Sequence, residues 1–379
     1  MSRNRWISAV VAAGSLLPWT AAQAGETLGF AVTWISPSLY YDASGNDCAG
    51  GPNETLDWRD ILARKGLSAS RIKQLTDNPN GPDFLREIIH RGRNGENVCA
   101  RPETDYLSPE WKTVTGKVSY GVNLDGTTDG QATASTCKHE KFVGADGAAS
   151  VDNQLYRVMG CFKAFRGEQK KAFLPAYINE RMREGMITYL VELSGIDDRR
   201  NDPEITIAIY LGTDPLQQDA SAGVMSDSTQ RISSDRRYHK IVRGQIKDGV
   251  ITSETFDMDL LSNALWLPEY HFKDARLRLA LNEDRSLSGM LAAYQDWESV
   301  FWGRVKSGTT TETYSANNCP GLYRAFKRMA DGGKDPVTGE CSMISSAYTV
   351  EAVPAFLVHP ADEKTAEAAP PRQTQAAAR

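Results

Sequence analysis

Between Met186 and Gly303, apolar and polar residues alternate in one short run after another, and this period of two constrains the chain more than any other feature. Side chains on an extended strand point to opposite faces in turn, so alternation describes a strand with one face in a core. Met186 to Leu193 and Glu204 to Leu211 are two such runs, parted by the polar turn SGIDDRRNDP. Asp248-Gly249 sits between alternating residues, a hairpin signal because both central residues of a two-residue turn need positive φ. Ala275 to Leu281 places Leu277, Leu279 and Leu281 on one face, and Leu287 to Tyr294 supplies another strand after NEDRS. Strands at this spacing predict a mainly β chain with an antiparallel, sandwich-like core over residues 186–303.

Other textures flank that core. Residues 25–118 open with a strand at Phe30 to Trp34 and continue as a small helical subregion. Leu56 to Leu62 is amphipathic, Ser68 is placed to cap a second helix, and Pro82 precedes a third at Phe84 to Ile89. Residues 119–185 are rich in Asp and Gly, with a helix expected between Cys161 and Arg183. Residues 304–360 carry a helix at Cys319 to Met329, a second Asp/Gly segment and a closing strand from Ile344 to Val358. The Ala, Glu, Pro and Gln of 361–379 read as a disordered tail.

The N-terminus has the three parts of a secretory signal. Arg3 and Arg5 give the charged region, Trp6 to Leu17 the apolar stretch, and Ala22-Gln23-Ala24 the small residues of a cleavage site. Residues 1–24 are therefore expected to be removed, leaving no transmembrane anchor and a periplasmic or secreted product. Removal takes away only Arg3 and Arg5, so the formal charge moves from −5 to −7. A mildly acidic protein has no general attraction to nucleic acid. All six cysteines (Cys48, Cys99, Cys137, Cys161, Cys319, Cys341) lie beyond the signal, and an even number in an oxidising compartment predicts three disulfides. Each successive pair brackets a loop-rich segment, so sequential pairing is expected.

Three groups of residues are candidates for chemistry. Asp125, Asp129, Asp146, Asp152 and Asn153 lie among glycines between Ser119 and Cys161, the oxygen-rich composition that suits calcium. Asp197, Asp198 and Asp202, and then Asp331, Asp335 and Glu340, repeat that texture, and none has the EF-hand spacing. His139 in TCKHE suggests a zinc ligand, but no second close pair of His or Cys accompanies it. Finally, Asp296 and Glu298 share a face if Tyr294 to Trp302 is a strand, and paired carboxylates can cleave glycosidic bonds. Trp266, Tyr270, Tyr294, Trp297 and Trp302 would then offer stacking surfaces for a glycan. GxSxG, HExxH, P-loop and GxGxxG motifs are absent.

At GVNLDGTTDG, TCKHEKF, DGAASVDNQLYRVMGC and CPGLYRAFKRMADGGKDPVTGEC the chain resembles a group of exported bacterial proteins of unknown function. The resemblance implies export and carries no activity or site residue. The function expected from the sequence is thus an exported, disulfide-stabilised, calcium-stabilised β-rich protein that binds a ligand or partner, such as a glycan or an envelope protein. The alternative is a carbohydrate-active hydrolase built on Asp296 and Glu298.

Overall fold

The computed structural model describes residues 25–89, 94–105, 107–167, 169–262, 269–305 and 317–360. The expected signal (1–24), Trp266 and the expected tail (361–379) lie outside them. Eight strands dominate: β1 (Glu26–Pro37), β2 (Thr188–Ile196), β3 (Asp202–Gly212), β4 (Lys240–Lys247), β5 (Val250–Ser253), β6 (Glu269–Leu281), β7 (Leu287–Asp296) and β8 (Cys341–Val358). Each pairs antiparallel with the next in the chain, and β8 returns to β1. The sandwich-like core expected from the strand spacing thus takes the form of a closed up-and-down barrel, which removes the exposed edges that an open sheet would carry. Asp248 and Gly249 adopt φ of 52° and 78° between β4 and β5, the hairpin turn their sequence predicts. The barrel is completed by β1 and β8, both outside 186–303.

Side-chain alternation gives β7 and β8 two different faces. Leu291, Ala293 and Gln295 of β7 and Ile344, Ser346 and Tyr348 of β8 point inward, where Tyr348 meets the stacked rings of Tyr270 and Phe272. Gln295 fills its amide there, donating to the Ser346 hydroxyl at 2.7 Å and the Tyr348 hydroxyl at 3.0 Å. The other face carries Ala292, Tyr294, Ser345 and Ala347, and these are buried too. A second layer must therefore cover the barrel at β7 and β8.

Two excursions supply it. The segment between β1 and β2 holds α1 (Trp58–Arg64), α2 (Ala69–Thr76), α3 (Pro82–Ile89), α4 (Gln154–Met159) and α5 (Phe173–Arg183). The segment between β7 and β8 holds α6 (Trp297–Val305) and α7 (Cys319–Met329). Ser68 caps α2 by accepting from the Arg71 amide, as its position predicts. α5 lies over β1, fixed by the Ile35 amide donating to Asn179 Oδ1 at 2.8 Å. Leu124 packs on Ala292, Tyr294 and Ala347, which places the Asp/Gly-rich stretch directly on the barrel wall. Gly130 is required there: its φ is 66°, and a Cβ would lie 2.0 Å from the His139 carbonyl oxygen.

The disulfides correct the sequential pairing expected from the loops. Cys48 joins Cys161, Cys99 joins Cys319, and Cys137 joins Cys341, over separations of 113, 220 and 204 residues. Every bond crosses the other two along the chain. Cys48–Cys161 lies within the first excursion, whereas Cys99–Cys319 and Cys137–Cys341 tie that excursion to α7 and to the start of β8. Three disulfides fit an oxidising compartment. Among the described residues, no helix is long and apolar enough to cross a membrane.

Candidate functional site: a buried charged centre beside a cationic cleft

The two excursions meet on the outer face of β7 and β8, and there the chain buries five ionisable side chains. His139 and Lys141 are two residues apart on an extended segment, so both point inward while Glu140 between them is exposed. Phe142 bridges Val151 and Val122 bridges Asp152, which brings Asp152 alongside. Asp331 arrives from the second excursion, where its carbonyl oxygen accepts from the Cys137 amide at 2.9 Å beside the Cys137–Cys341 bond. The side chains of Asp125, Asp152 and Asp331 are wholly buried, and those of His139 and Lys141 almost so.

Lys141 Nζ lies 2.5 Å from Asp125 Oδ1 and 2.6 Å from Asp152 Oδ1. Asp152 also accepts from the Leu124 amide at 2.8 Å. His139 Nδ1 faces the Cys137 carbonyl oxygen at 2.9 Å, and Nε2 faces Asp152 Oδ1 at 2.9 Å. Asp331 accepts from the Ser345 amide through Oδ1 at 2.7 Å, while its buried Oδ2 has no hydrogen-bond partner among the described residues. The Tyr294 hydroxyl beside it is likewise buried and unpartnered.

Burial and charge pull these groups in opposite directions. Burial pushes the Asp331 carboxyl up to about 7, only partly offset by the His139 charge and the Ser345 contacts. For Asp152 burial also acts upward, yet the bonds from His139, Lys141 and the Leu124 amide outweigh it and hold the group below the usual carboxylate range. Burial alone would lower His139; the bond to Asp152, the Asp331 charge and the Cys137 carbonyl together keep it above its ordinary value. Desolvation raises the Tyr294 phenol, and the Asp331 charge adds to it.

Of the residues expected to bind calcium, the structure brings Asp125 and Asp152 together and uses the others elsewhere. Asp129 accepts from the Gln131 amide at the surface, and Asp146 pairs with Arg278 at 2.6 Å. Asn153 caps α4 and donates to the Ser38 and Tyr120 carbonyls. Asp125, His139 and Asp152 present ligand-type atoms within 4.8 Å of one another, so these residues could hold a metal ion. In the other two groups, Asp202 organises a turn by accepting from the Asp197 amide, and Asp335 does so with the Val337 and Thr338 amides.

The strand expected across Asp296 and Glu298 is corrected. β7 ends at Asp296, whose carboxylate accepts from the Ser299 amide at 2.6 Å as α6 begins. Glu298 lies on that helix, exposed, and accepts from the Tyr323 hydroxyl. The helical rise ends the alternation that would have paired them. The expected aromatic platform is corrected as well: Tyr270 is in the barrel core, Tyr294 is under the Asp/Gly-rich layer, and Trp297 packs edge-on against Tyr323. Trp302 is half-buried, packed on Phe301.

A cleft of about 420 Å³ opens beside the buried centre, between α4, the end of α7 and the segments at 113–117 and 138–140. Lys117, Lys138, Arg157 and Arg328 line it, with Glu140 as the one carboxylate among its described lining residues. Arg157 is held by several partners, and its Nη1 lies 3.7 Å from Glu140 Oε2. It donates to Gln154 Oε1 at 3.2 Å and the Val114 carbonyl at 3.0 Å, and its guanidinium lies 4.0 Å from the centre of the Phe142 ring. Lys117 pairs with Glu140 at 3.0 Å, and the Lys117 bond followed by the Arg157 charge hold that carboxyl low. Lys138 and Arg328 are exposed and have no carboxylate partner among the described residues. A surface groove lined by Glu204, Arg243 and Glu254 differs, because Arg243 already pairs with Glu254 at 3.1 Å.

Sequence reasoning missed Lys141, Arg157 and the cleft cations. The spacing of His139 and Lys141 was the available signal for the centre; nothing local marks the cleft. The chain matches no family model, and comparison with curated proteins and with solved structures finds no match. What fold and site define is a class: a disulfide-stapled, closed antiparallel barrel carrying a buried charged centre and a basic cleft on its outer wall.

Proposed function

We propose that this is an exported binding protein, periplasmic or secreted, whose cleft takes a small organic anion with a carboxylate or phosphate group. Lys138 and Arg328, without a carboxylate partner among the described residues and facing a cleft already lined by Arg157 and Lys117, carry this reading. A preorganised Arg beside flexible lysine side chains is the arrangement that recognises carboxylates and phosphates, and Val114, Met329 and Ala330 give the ligand an apolar wall. Acidic sugars belong to this ligand class, which keeps a glycan within the reading. A hydrolytic role for Asp296 and Glu298 draws no support from their placement.

The test is calorimetric titration of the full chain with glucuronate, glucose 6-phosphate and succinate at low ionic strength. At least one should bind, more weakly as salt is added, and binding should vanish in Lys138→Glu/Arg328→Glu. Silence across the panel, or affinity untouched by the double charge reversal, would end the proposal.

A further inference from the structure

Three carboxylate oxygens converge on one ring nitrogen in the buried centre. His139 Nε2 has Asp152 Oδ1 at 2.9 Å, Asp125 Oδ2 at 3.8 Å and Asp331 Oδ2 at 3.9 Å. Four ligands held tetrahedrally about 2.0–2.1 Å from a metal ion lie about 3.3 Å from one another; the distances from Nε2 bracket that value, and the ligand atoms of Asp125, His139 and Asp152 all lie within 4.8 Å of one another. We propose that Asp125, His139, Asp152 and Asp331 form a closed structural site for a first-row divalent cation of the zinc or manganese type.

Independent observations support the site. Asp331 Oδ2 is fully buried, faces His139 and has no hydrogen-bond partner, a costly arrangement that a cation resolves. His139 Nδ1 is engaged by the Cys137 carbonyl, the outer contact that fixes a ligating imidazole with its other nitrogen toward the ion. Lys141 holds the far oxygen of Asp125 and reaches both oxygens of Asp152, Oδ1 at 2.6 Å and Oδ2 at 2.7 Å. Charge then closes: two positive charges on the ion and one on Lys141 balance three carboxylates, with His139 neutral. The ion takes the place of the Nε2 proton. Calcium prefers six to eight oxygens, whereas this small set includes an imidazole nitrogen, which favours zinc; its three carboxylates also suit manganese. With Asp331 drawn in as the fourth ligand no open position remains, so the role is to pin the two excursions onto the barrel beside Cys137–Cys341.

The test uses the full disulfide-bonded chain. Metal content is measured by mass spectrometry after purification without chelator. The EDTA-treated protein is then melted with added Zn²⁺, Mn²⁺ or Ca²⁺. About one equivalent of zinc or manganese is expected, or a midpoint raised by about 4 °C at a hundredfold excess over Kd. Asp331→Asn, which keeps the side-chain shape, should lower affinity at least tenfold. Asp129→Asn, remote from the set, should leave it unchanged and controls for surface carboxylates. Absence of bound metal together with no shift for zinc or manganese overturns the site, as does a shift with calcium alone or one unaltered by Asp331→Asn.

Discussion

Removing the Cys137–Cys341 bond by Cys137→Ala/Cys341→Ala should cost about 4 kcal/mol in the chain-entropy description. The magnitude follows from the crossed topology. With the other two bonds intact, the shortest covalent route between these residues runs 38 residues back to Cys99, across to Cys319, and 22 residues on to Cys341. The bond therefore closes an effective loop of about 60 residues rather than the full separation, which gives about 14 cal/mol/K, or about 4 kcal/mol at room temperature. The assay is guanidinium unfolding followed by tryptophan fluorescence under non-reducing conditions, with the denaturant slope reported beside the midpoint. The slope should rise, because the denatured chain loses a constraint and exposes more surface. A loss below about 1 kcal/mol with an unchanged slope would refute the reasoning, since a bond that closes such a loop must be felt in the denatured state.

Three further outcomes are expected. In EDTA-treated protein, stability should fall as pH rises from 4 to 7: the Asp331 pKa of about 7 exceeds its ordinary 3.8, so the folded state holds the extra proton in that window. The loss across this window should reach about 3 kcal/mol, at about 1.4 kcal/mol for each decade by which the protonation ratio of the two states changes. His139 acts in the same sense, and Asp331→Asn should flatten the profile; a profile rising over this window would contradict it. Arg157→Ala should lower stability by about 3 kcal/mol, because it strands the Val114 carbonyl and the Gln154 amide in a buried setting; thermal unfolding reads this directly. Gly130→Ala should cost at least about 2 kcal/mol, since it strains a left-handed backbone and drives a Cβ into the His139 carbonyl; a neutral result would mean that this turn yields more easily than its geometry allows.

Much of the barrel was legible because its strands carry a period of two that core packing enforces. The Asp248-Gly249 turn, the Ser68 cap and the helix at Cys319–Met329 were legible because each depends on local chemistry. α4 was not: all six of its residues are buried, so no amphipathic period marks it. α6 is not marked either, because a short apolar run beside Asp296 fits strand and helix alike. Barrel closure escaped as well, since β1 and β8 pair across most of the chain. The buried centre was half visible. Asp125 and Asp152 stood in one candidate group, Asp331 in another and His139 in a third; only the crossed disulfides and the β7–β8 wall bring them together.

The most direct test of the cleft is crystallographic. Crystals soaked in selenate, whose selenium scatters anomalously, should show a peak between Lys138, Arg328 and Arg157 that is lost in Lys138→Glu/Arg328→Glu. Selenate bound at the Arg243 groove with none in the cleft would contradict the account.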